Sequence, residues 1–386
     1  MSGVALRASG IRAVFERARE LEKEGLSIVH MEIGRPHLNS PEAARRAAAA
    51  ALEAGAVHYT QNRGLPELRA ALAARLERRL GVRYDPETDV IVTAGGSEAV
   101  AASFFAALGP GDEAIVLDPA WPHYEAQLQL AGATAVHVAC SPAGGFVPDP
   151  ELVARAIGPR TRLLVVSSPS NPTGTVLGRE TLEQLAALCL ENDLLALSDE
   201  TYESFVYDGA SRSSIASLPG MQDRTLVVGS FSKTFSMTGW RVGYAAAPAA
   251  LADRINTVHQ YLTVCAPSFA QAGALAALTE SEAFEAAMVE QYARSRLLVS
   301  ESLAGLPGVE LGPLAGAFYA FPGIAPRGAL PGDLAGRLLE EAGVAVVPGE
   351  VFGQGFDRHV RISYALAEHD VREGAHRIRG FLERTA

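Results

Sequence analysis

Short apolar runs recur through the middle of the chain: Val90-Ile-Val-Thr93, Ala114-Ile-Val-Leu117, Leu163-Leu-Val-Val166, Leu194-Leu-Ala-Leu197 and Thr225-Leu-Val-Val228. The segments between them, such as 98–108 and 179–192, place apolar residues at helical spacing. A run that is too short for a helix and apolar at nearly every position reads as a strand buried on both faces. Alternated with amphipathic helices, such runs predict a mostly parallel sheet covered by helices on both sides, an α/β fold. Ahead of this region, helices are expected over 11–24, with the stripe Ile11, Val14, Phe15, Ala18 and Leu21, and over about 41–54, with a short strand at Ser27–Met31 between them. After about residue 285 the pattern changes to a long polar helix near 283–304, short strands around 316–321 and 344–347, and a closing amphipathic helix near 368–384. The expected organisation is a large α/β domain over 41–285 and a smaller α+β domain formed by 1–40 and 286–386.

Length agrees with two lobes, since 386 residues exceed what one core usually holds. A balance of 33 basic to 44 acidic residues argues against nucleic acid or an anionic membrane as partner. No apolar stretch approaches the length of a membrane span, and the first residues lack a basic then apolar leader, so a cytoplasmic location is expected. Cys140, Cys189 and Cys265 are too far apart for a close-spaced zinc site and odd in number for a disulfide framework, and no metal is expected. Composition changes the picture at one point. Lys23 and Lys233 are the only lysines among those 33 basic residues, so lysine is not a generic surface charge here. Lys23 lies in a charged run, whereas Lys233 follows a core strand, where an amine can be desolvated into a nucleophile or Schiff-base partner. A Walker phosphate loop is excluded, because Ser232 stands where the second glycine is required.

In an open parallel sheet, ligands bind beyond the carboxyl ends of the strands. Ala94-Gly95-Gly96-Ser97-Glu98 follows the first run and opens a helix whose free amides suit a phosphate. Trp121 follows the second, a flat ring available for stacking. Asn171 follows the third in a Pro-rich turn, offering both donor and acceptor. Asp199 ends the fourth, where a buried carboxylate needs a cation, either Arg241 or a charged ligand nitrogen. The fifth ends in Ser230, Ser232 and Lys233, with Arg241 eight residues on. A phosphate cradle, a ring, an amide, a carboxylate, a lysine and an arginine on one sheet edge together fit a phosphorylated aromatic aldehyde held as a Schiff base, pyridoxal 5′-phosphate.

The landmarks Gly34-Arg-Pro36, His58-Tyr-Thr60, Thr93-Ala-Gly-Gly-Ser-Glu-Ala99, Ser168-Pro-Ser-Asn-Pro-Thr-Gly174, Ser198-Asp-Glu-Thr-Tyr202, Ser230-Phe-Ser-Lys-Thr-Phe-Ser-Met-Thr-Gly-Trp-Arg241, Gly316-Ala-Phe-Tyr319 and Val360-Arg-Ile-Ser-Tyr-Ala365 occur in an order and spacing that resembles the class I/II aminotransferases, fold type I pyridoxal-phosphate-dependent enzymes, over nearly the whole chain. The resemblance implies that Lys233 forms the Schiff base and moves the proton at Cα, and that Asp199 pairs with the pyridine nitrogen. It implies further that Asn171 and Tyr202 bond the ring oxygen and that Trp121 stacks on the ring. The phosphate falls to Gly95, Gly96, Ser97, Ser230, Ser232 and Arg241. Family members are homodimers, and Tyr59 resembles the tyrosine that reaches the neighbour's phosphate. Arg361, beside Gly34, resembles the arginine that grips the substrate α-carboxylate.

Ser170 departs from the asparagine often found in relatives. No arginine lies between Arg254 and Arg294, where dicarboxylate-specific relatives can carry one, so His259, Gln260, Tyr261 and Phe318 suggest a neutral, aromatic or polar side chain. The expected reaction is transfer of an amino group between an L-amino acid and a 2-oxo acid. The same scaffold supports a β-lyase, cyclase or oxidase reaction, and a non-enzymatic regulatory module is the remaining class.

Overall fold

The computed structural model of the protein describes Leu6 and residues 10–210, 212–325 and 334–385. Strand β1 (Val29–His30) precedes the seven strands of a central sheet: β2 (Val90–Thr93), β3 (Glu113–Asp118), β4 (Thr134–Ala139), β5 (Thr161–Ser167), β6 (Leu195–Asp199), β7 (Thr225–Ser230) and β8 (Gly243–Ala246). They lie side by side in the order β2-β8-β7-β6-β5-β3-β4. All pairings from β7 to β4 are parallel, and β8 runs antiparallel to both its neighbours.

Alternate residues of each run enter opposite cores, as the period of a strand requires. Val116, Val165, Leu197 and Val228 pack with the helices Gly96–Ala107, His123–Leu130 and Ala249–Leu262. Ile115, Leu164, Val166 and Ala196 pack with the helix Arg179–Glu191 on the other face. Double-sided burial is why these strands read as continuous apolar runs. Two strands lacked that signal. β4 is an edge strand with a single buried residue, Val138, and β8 is built from Gly-Tyr-Ala-Ala. β6 also runs two residues further than its apolar run, so Asp199 is the last residue of the strand.

The remaining strands are β9 (Val309–Glu310), β10 (Tyr319–Ala320), β11 (Gly323–Ile324), β12 (Val344–Ala345), β13 (Val347–Pro348) and β14 (Val360–Ser363). β14 lies between β10 and β13, β9 pairs with β11, and β1 pairs in parallel with β12. The helices Glu282–Leu303 and Glu368–Thr385 bury Met288, Tyr292, Val371, Ile378 and Phe381 against these strands. A buried ion network, Arg75 with Glu203 and Glu285, ties the long helix Glu282–Leu303 to the large sheet's surroundings. No helix among the described residues is long and apolar enough to cross a membrane.

Candidate active site

From β3 the chain steps outward to β4, while β5, β6 and β7 step the other way, so the strand order turns back between β3 and β5. That is where an open α/β sheet leaves a crevice at its carboxyl edge. A cavity of about 880 Å³ occupies it, large enough for a cofactor and a small substrate together. Its lining includes Gly34, Gly96, Ser97, Trp121, Asn171, Asp199, Tyr202, Ser230, Ser232, Lys233, Arg241 and Arg361, so the structure brings together twelve of the eighteen residues singled out from the sequence.

Lys233 sits in the short helix Phe231–Thr234, which Ser230 caps by accepting the Ser232 amide at 3.1 Å. Its Nζ donates to the Gly34 carbonyl at 2.6 Å. Burial, with the positive charges of Arg361 and Arg241 nearby, lowers its pKa to about 8, and Asp199 offsets this only in part. The amine is therefore about half neutral near pH 8, far below the range in which an exposed lysine loses its proton.

Asp199 is 7% exposed; its Oδ2 accepts from the Tyr124 hydroxyl at 2.6 Å and its Oδ1 from the Thr201 amide at 3.0 Å. Arg241 does not pair with it. The Arg241 guanidinium bonds instead to the carbonyls of Thr238 and Ala94, at 3.0 and 3.3 Å. Of the two partners open to Asp199 from the sequence, the ligand nitrogen is the one left.

Arg241 lies against the start of the helix Gly96–Ala107, where the amides of Gly96 and Ser97 have no intrahelical acceptor. Gly95 caps that helix at φ +90°, and a Cβ on it would stand 2.3 Å from Arg241 Nη2. Gly95 thus contributes by yielding space rather than by lining the cavity. Gly95→Ala is expected to displace the guanidinium and weaken retention of an anionic cofactor about tenfold with the fold intact, read by equilibrium dialysis of the cofactor against melting temperature.

Arg361, on β14, is 2% exposed. Its Nη1 donates to Asn171 Oδ1 at 3.1 Å and its Nη2 to the Glu32 carbonyl, while Nε is buried without a partner. The rings of Tyr319 and Phe352 lie 4.6 and 5.0 Å from the guanidinium carbon. Burial lowers its pKa, against the effect of Tyr319, Tyr202 and Glu32. The Tyr202 and Tyr319 hydroxyls share a 2.8 Å hydrogen bond, and burial followed by Tyr319 pushes the Tyr202 pKa well up. Gly34 is required beside them, since a Cβ there would meet Tyr319 Oη at 1.8 Å.

Three further expectations need correction. Phe318 does not line the cavity; it is fully buried among Tyr202, Phe205 and Tyr292, and its neighbour Tyr319 faces the cavity instead. His259 is buried too, held between Glu98 at 2.7 Å and the Asn62 carbonyl at 3.0 Å. Tyr261, 85% exposed, is not part of the cavity lining; neither is Tyr59, 82% exposed, whose expected partner is a neighbouring chain's phosphate rather than this one's. Trp121 lines the cavity with one face already covered by His123, whose ring is 4.2 Å away and nearly parallel. Tyr124 and Tyr319 are the residues that sequence reasoning missed. Strand alternation around Phe318 was the available signal for Tyr319; the helical turn from Trp121 to Tyr124 was the signal for the other.

Comparison with known proteins agrees with this arrangement. The family model described as aminotransferase class I and II matches residues 27–378. The aspartate/prephenate aminotransferase of Thermus thermophilus is 42% identical, the match covering 98% of this chain and 97% of that protein. The aromatic-amino-acid aminotransferase 2 of Thermococcus litoralis is 37% identical over 97% and 96% of the two chains. Among solved structures, the aspartate aminotransferase of Thermus thermophilus with maleate superposes with a TM-score of 0.92 at 41% identity, covering 99% of this chain and all of that one. The aromatic aminotransferase of Pyrococcus horikoshii gives a TM-score of 0.89 at 37% identity, covering 95% and 98%. Fold, sheet-edge cavity and full-length similarity lead to one conclusion: this chain belongs to the class I and II aminotransferases and is a fold type I enzyme that transfers amino groups.

Proposed function

We propose that the cavity holds pyridoxal 5′-phosphate and that the enzyme moves the amino group of an aromatic or acidic L-amino acid to a 2-oxo acid. The observation that carries this reading is a buried carboxylate, Asp199, without a cation partner among the described residues, facing the same cavity as a buried amine of lowered pKa. Those two groups fit the ring nitrogen and the aldehyde of the cofactor, and the open amides of Gly96 and Ser97 with Ser230, Ser232 and Arg241 fit its phosphate. When bound, the cofactor supplies an electrophilic carbon and a ring that draws electrons from the substrate.

The protein does the rest. Asp199 keeps a proton on the ring nitrogen, with Tyr124 and the Thr201 amide fixing the carboxylate's orientation. Lys233 would attach the cofactor and, once displaced by substrate, take the proton from Cα and deliver it to the carbon that was the cofactor's aldehyde, two bonds away across the nitrogen. Tyr202 and Asn171 would hydrogen-bond the ring oxygen, and Trp121 would stack on the ring. Arg361 grips the α-carboxylate with donors that its protein acceptors leave over, and its buried, unpartnered Nε marks the unmet need. Arg361→Lys keeps the charge and loses the planar fork, so the half-saturating donor concentration should rise about 10- to 100-fold while cofactor absorbance is kept.

Substrate class follows from the outer lining. Phe15, Trp121 and Tyr319 are aromatic and Arg12, Arg19 and Arg35 are cationic, while the cavity's one acidic residue among the described residues is Asp199, set apart at the ring-nitrogen end. A basic side chain is disfavoured. A half-reaction screen tests the whole proposal: amino donors are added singly, the cofactor spectrum is followed, and each 2-oxo acid is then tried for its return. Fastest reaction with lysine or arginine would overturn the substrate class. Loss of the amino group as ammonia without any oxo acid would overturn transfer in favour of a lyase.

The assembly we propose is a homodimer in the cytoplasm. Val57, Tyr59, Tyr261, Leu262 and Val264 form an exposed apolar face around two loops joined by the Asn62 side chain's bond to the Val264 carbonyl, at 2.7 Å. Such a face suits a second copy of the chain, with Tyr59 directed to the neighbouring phosphate.

A further inference from the structure

A line of alternating charge runs from the helix Gly10–Lys23 to Arg361, and no step above uses it. Glu32 is fully buried; its Oε1 lies 2.8 Å from His30 Nδ1 and its Oε2 has no hydrogen-bond partner. His30 Nε2 lies 3.2 Å from Glu22 Oε1 on the helix, where Arg19 also pairs with Glu22 at 3.0 Å. Both ring nitrogens therefore face carboxylate oxygens, which accept only, and both contacts are satisfied together only when the imidazole carries two protons. The hydrogen bond to Glu32, ahead of opposing burial, raises the pKa of His30 accordingly.

The backbone of the same segment carries the active site. Glu32 O accepts from Arg361 Nη2, and two residues on, Gly34 O accepts from Lys233 Nζ. Just before them, between His30 and Glu32, Met31 is pinned on both sides, its amide to the Ala345 carbonyl at 3.0 Å and its carbonyl to the Ser363 amide at 2.8 Å. The side chains of Glu32 and His30 join this segment to the helix by charge, beside the packing of Ile28 on Ala18 and Leu21; four helix residues, Ile11, Arg12, Phe15 and Arg19, line the cavity, as does His30 itself.

We propose that His30, bridging Glu22 and Glu32, is a positioning residue for the carboxylate grip: it compensates Glu32 and holds residues 30–34 in register, so that Arg361 presents its free donors to the substrate. Without that bridge the buried Glu32 has no cation within hydrogen-bond reach, and it takes up a proton or draws in water. Either response shifts the carbonyl on which Arg361 rests. The inference depends on Arg361 being the α-carboxylate grip.

The test uses the cofactor-loaded enzyme and two probes. 3-Phenylpropanoate carries the carboxylate and no amine, so its calorimetric dissociation constant reads the grip without chemistry; L-phenylalanine in single turnover gives a half-saturating concentration and a limiting rate. His30→Ala should weaken 3-phenylpropanoate about tenfold, with the limiting rate for L-phenylalanine within about twofold of the parent. His30→Lys, which restores a cation with donors, should return binding to within about threefold. Glu22→Gln, at a half-exposed position that folding tolerates, should weaken binding about two- to threefold and serves if His30→Ala does not fold. Unchanged probe binding in His30→Ala and Glu22→Gln would overturn the proposal, as would a limiting rate that falls in step with binding or a lysine that rescues nothing. Arg361→Lys run alongside separates the two ideas. If it alone weakens the probe, the role of His30 falls and the grip stands; if it too leaves the probe unaffected, or the parent enzyme does not bind the probe, the grip itself falls.

Discussion

Lys233→Ala is expected to reduce amino transfer by about 10⁴-fold or more, because one side chain both attaches the cofactor and carries the proton at Cα. The loss should fall in the limiting rate of the half-reaction, and the absorption characteristic of a lysine-linked cofactor should disappear. The protein itself should remain folded, since the Lys233 side chain holds one carbonyl, that of Gly34, and its removal relieves an amine of its burial among positive charges. A second readout concerns pH. Attachment of cofactor to the stripped parent protein needs the neutral amine, so its rate should climb as pH rises through about 8 and level off above that. Turnover and spectrum retained in Lys233→Ala would remove the mechanism altogether.

Asp199→Asn is expected to lower the limiting rate by about 10²- to 10³-fold while leaving the cofactor bound. The amide preserves the size and the acceptor toward the Tyr124 hydroxyl, but it cannot hold a positive ring nitrogen by charge. The effect therefore separates electrostatics from shape. Tyr124→Phe should show a smaller loss of about five- to tenfold, since it removes one hydrogen bond from the carboxylate and leaves the charge. Solvent-exchange of the substrate Cα proton, followed by mass spectrometry, should slow in parallel with the limiting rate in Asp199→Asn. Exchange at the parent's rate would show that the ring nitrogen's charge does not matter here.

The parts of this site legible in the sequence share one physical circumstance. Lys233, Asp199, Asn171 and Trp121 all follow core strands, and a chemically unusual residue directly after an apolar run has few structural reasons to be there. Arg361 lacks that signal. It sits within Val-Arg-Ile-Ser, a pattern that reads as one solvent-facing charge in a half-buried strand. It is buried because Tyr319 and Phe352 flank its guanidinium and because Asn171 and Glu32, 190 and 329 residues away, accept its hydrogen bonds. Only family resemblance pointed to it. Phe318 and Tyr319 show a different limit: adjacent strand residues face opposite ways, and a one-residue uncertainty in register exchanges core for cavity. In the bridge from Glu22 through His30 to Glu32 only the second step has strand spacing; the first spans eight residues and a turn, which no periodicity reveals. β4 and β8 escaped notice because an edge strand and a run of small residues bury too little apolar surface to make a periodic signal.

The two halves of the site also differ in when the ribosome supplies them. Every residue assigned to the cofactor within this chain, apart from Tyr59, lies between Gly95 and Arg241, whereas the grip on substrate joins Glu32 and Gly34 near the start of the chain to Arg361 near its end. During synthesis the residues of the sheet edge leave the ribosome before β14 is translated. On the proposed assignment, a growing chain carries all of its own cofactor residues before it carries Arg361, and it has no grip for an amino acid until β14 has been made.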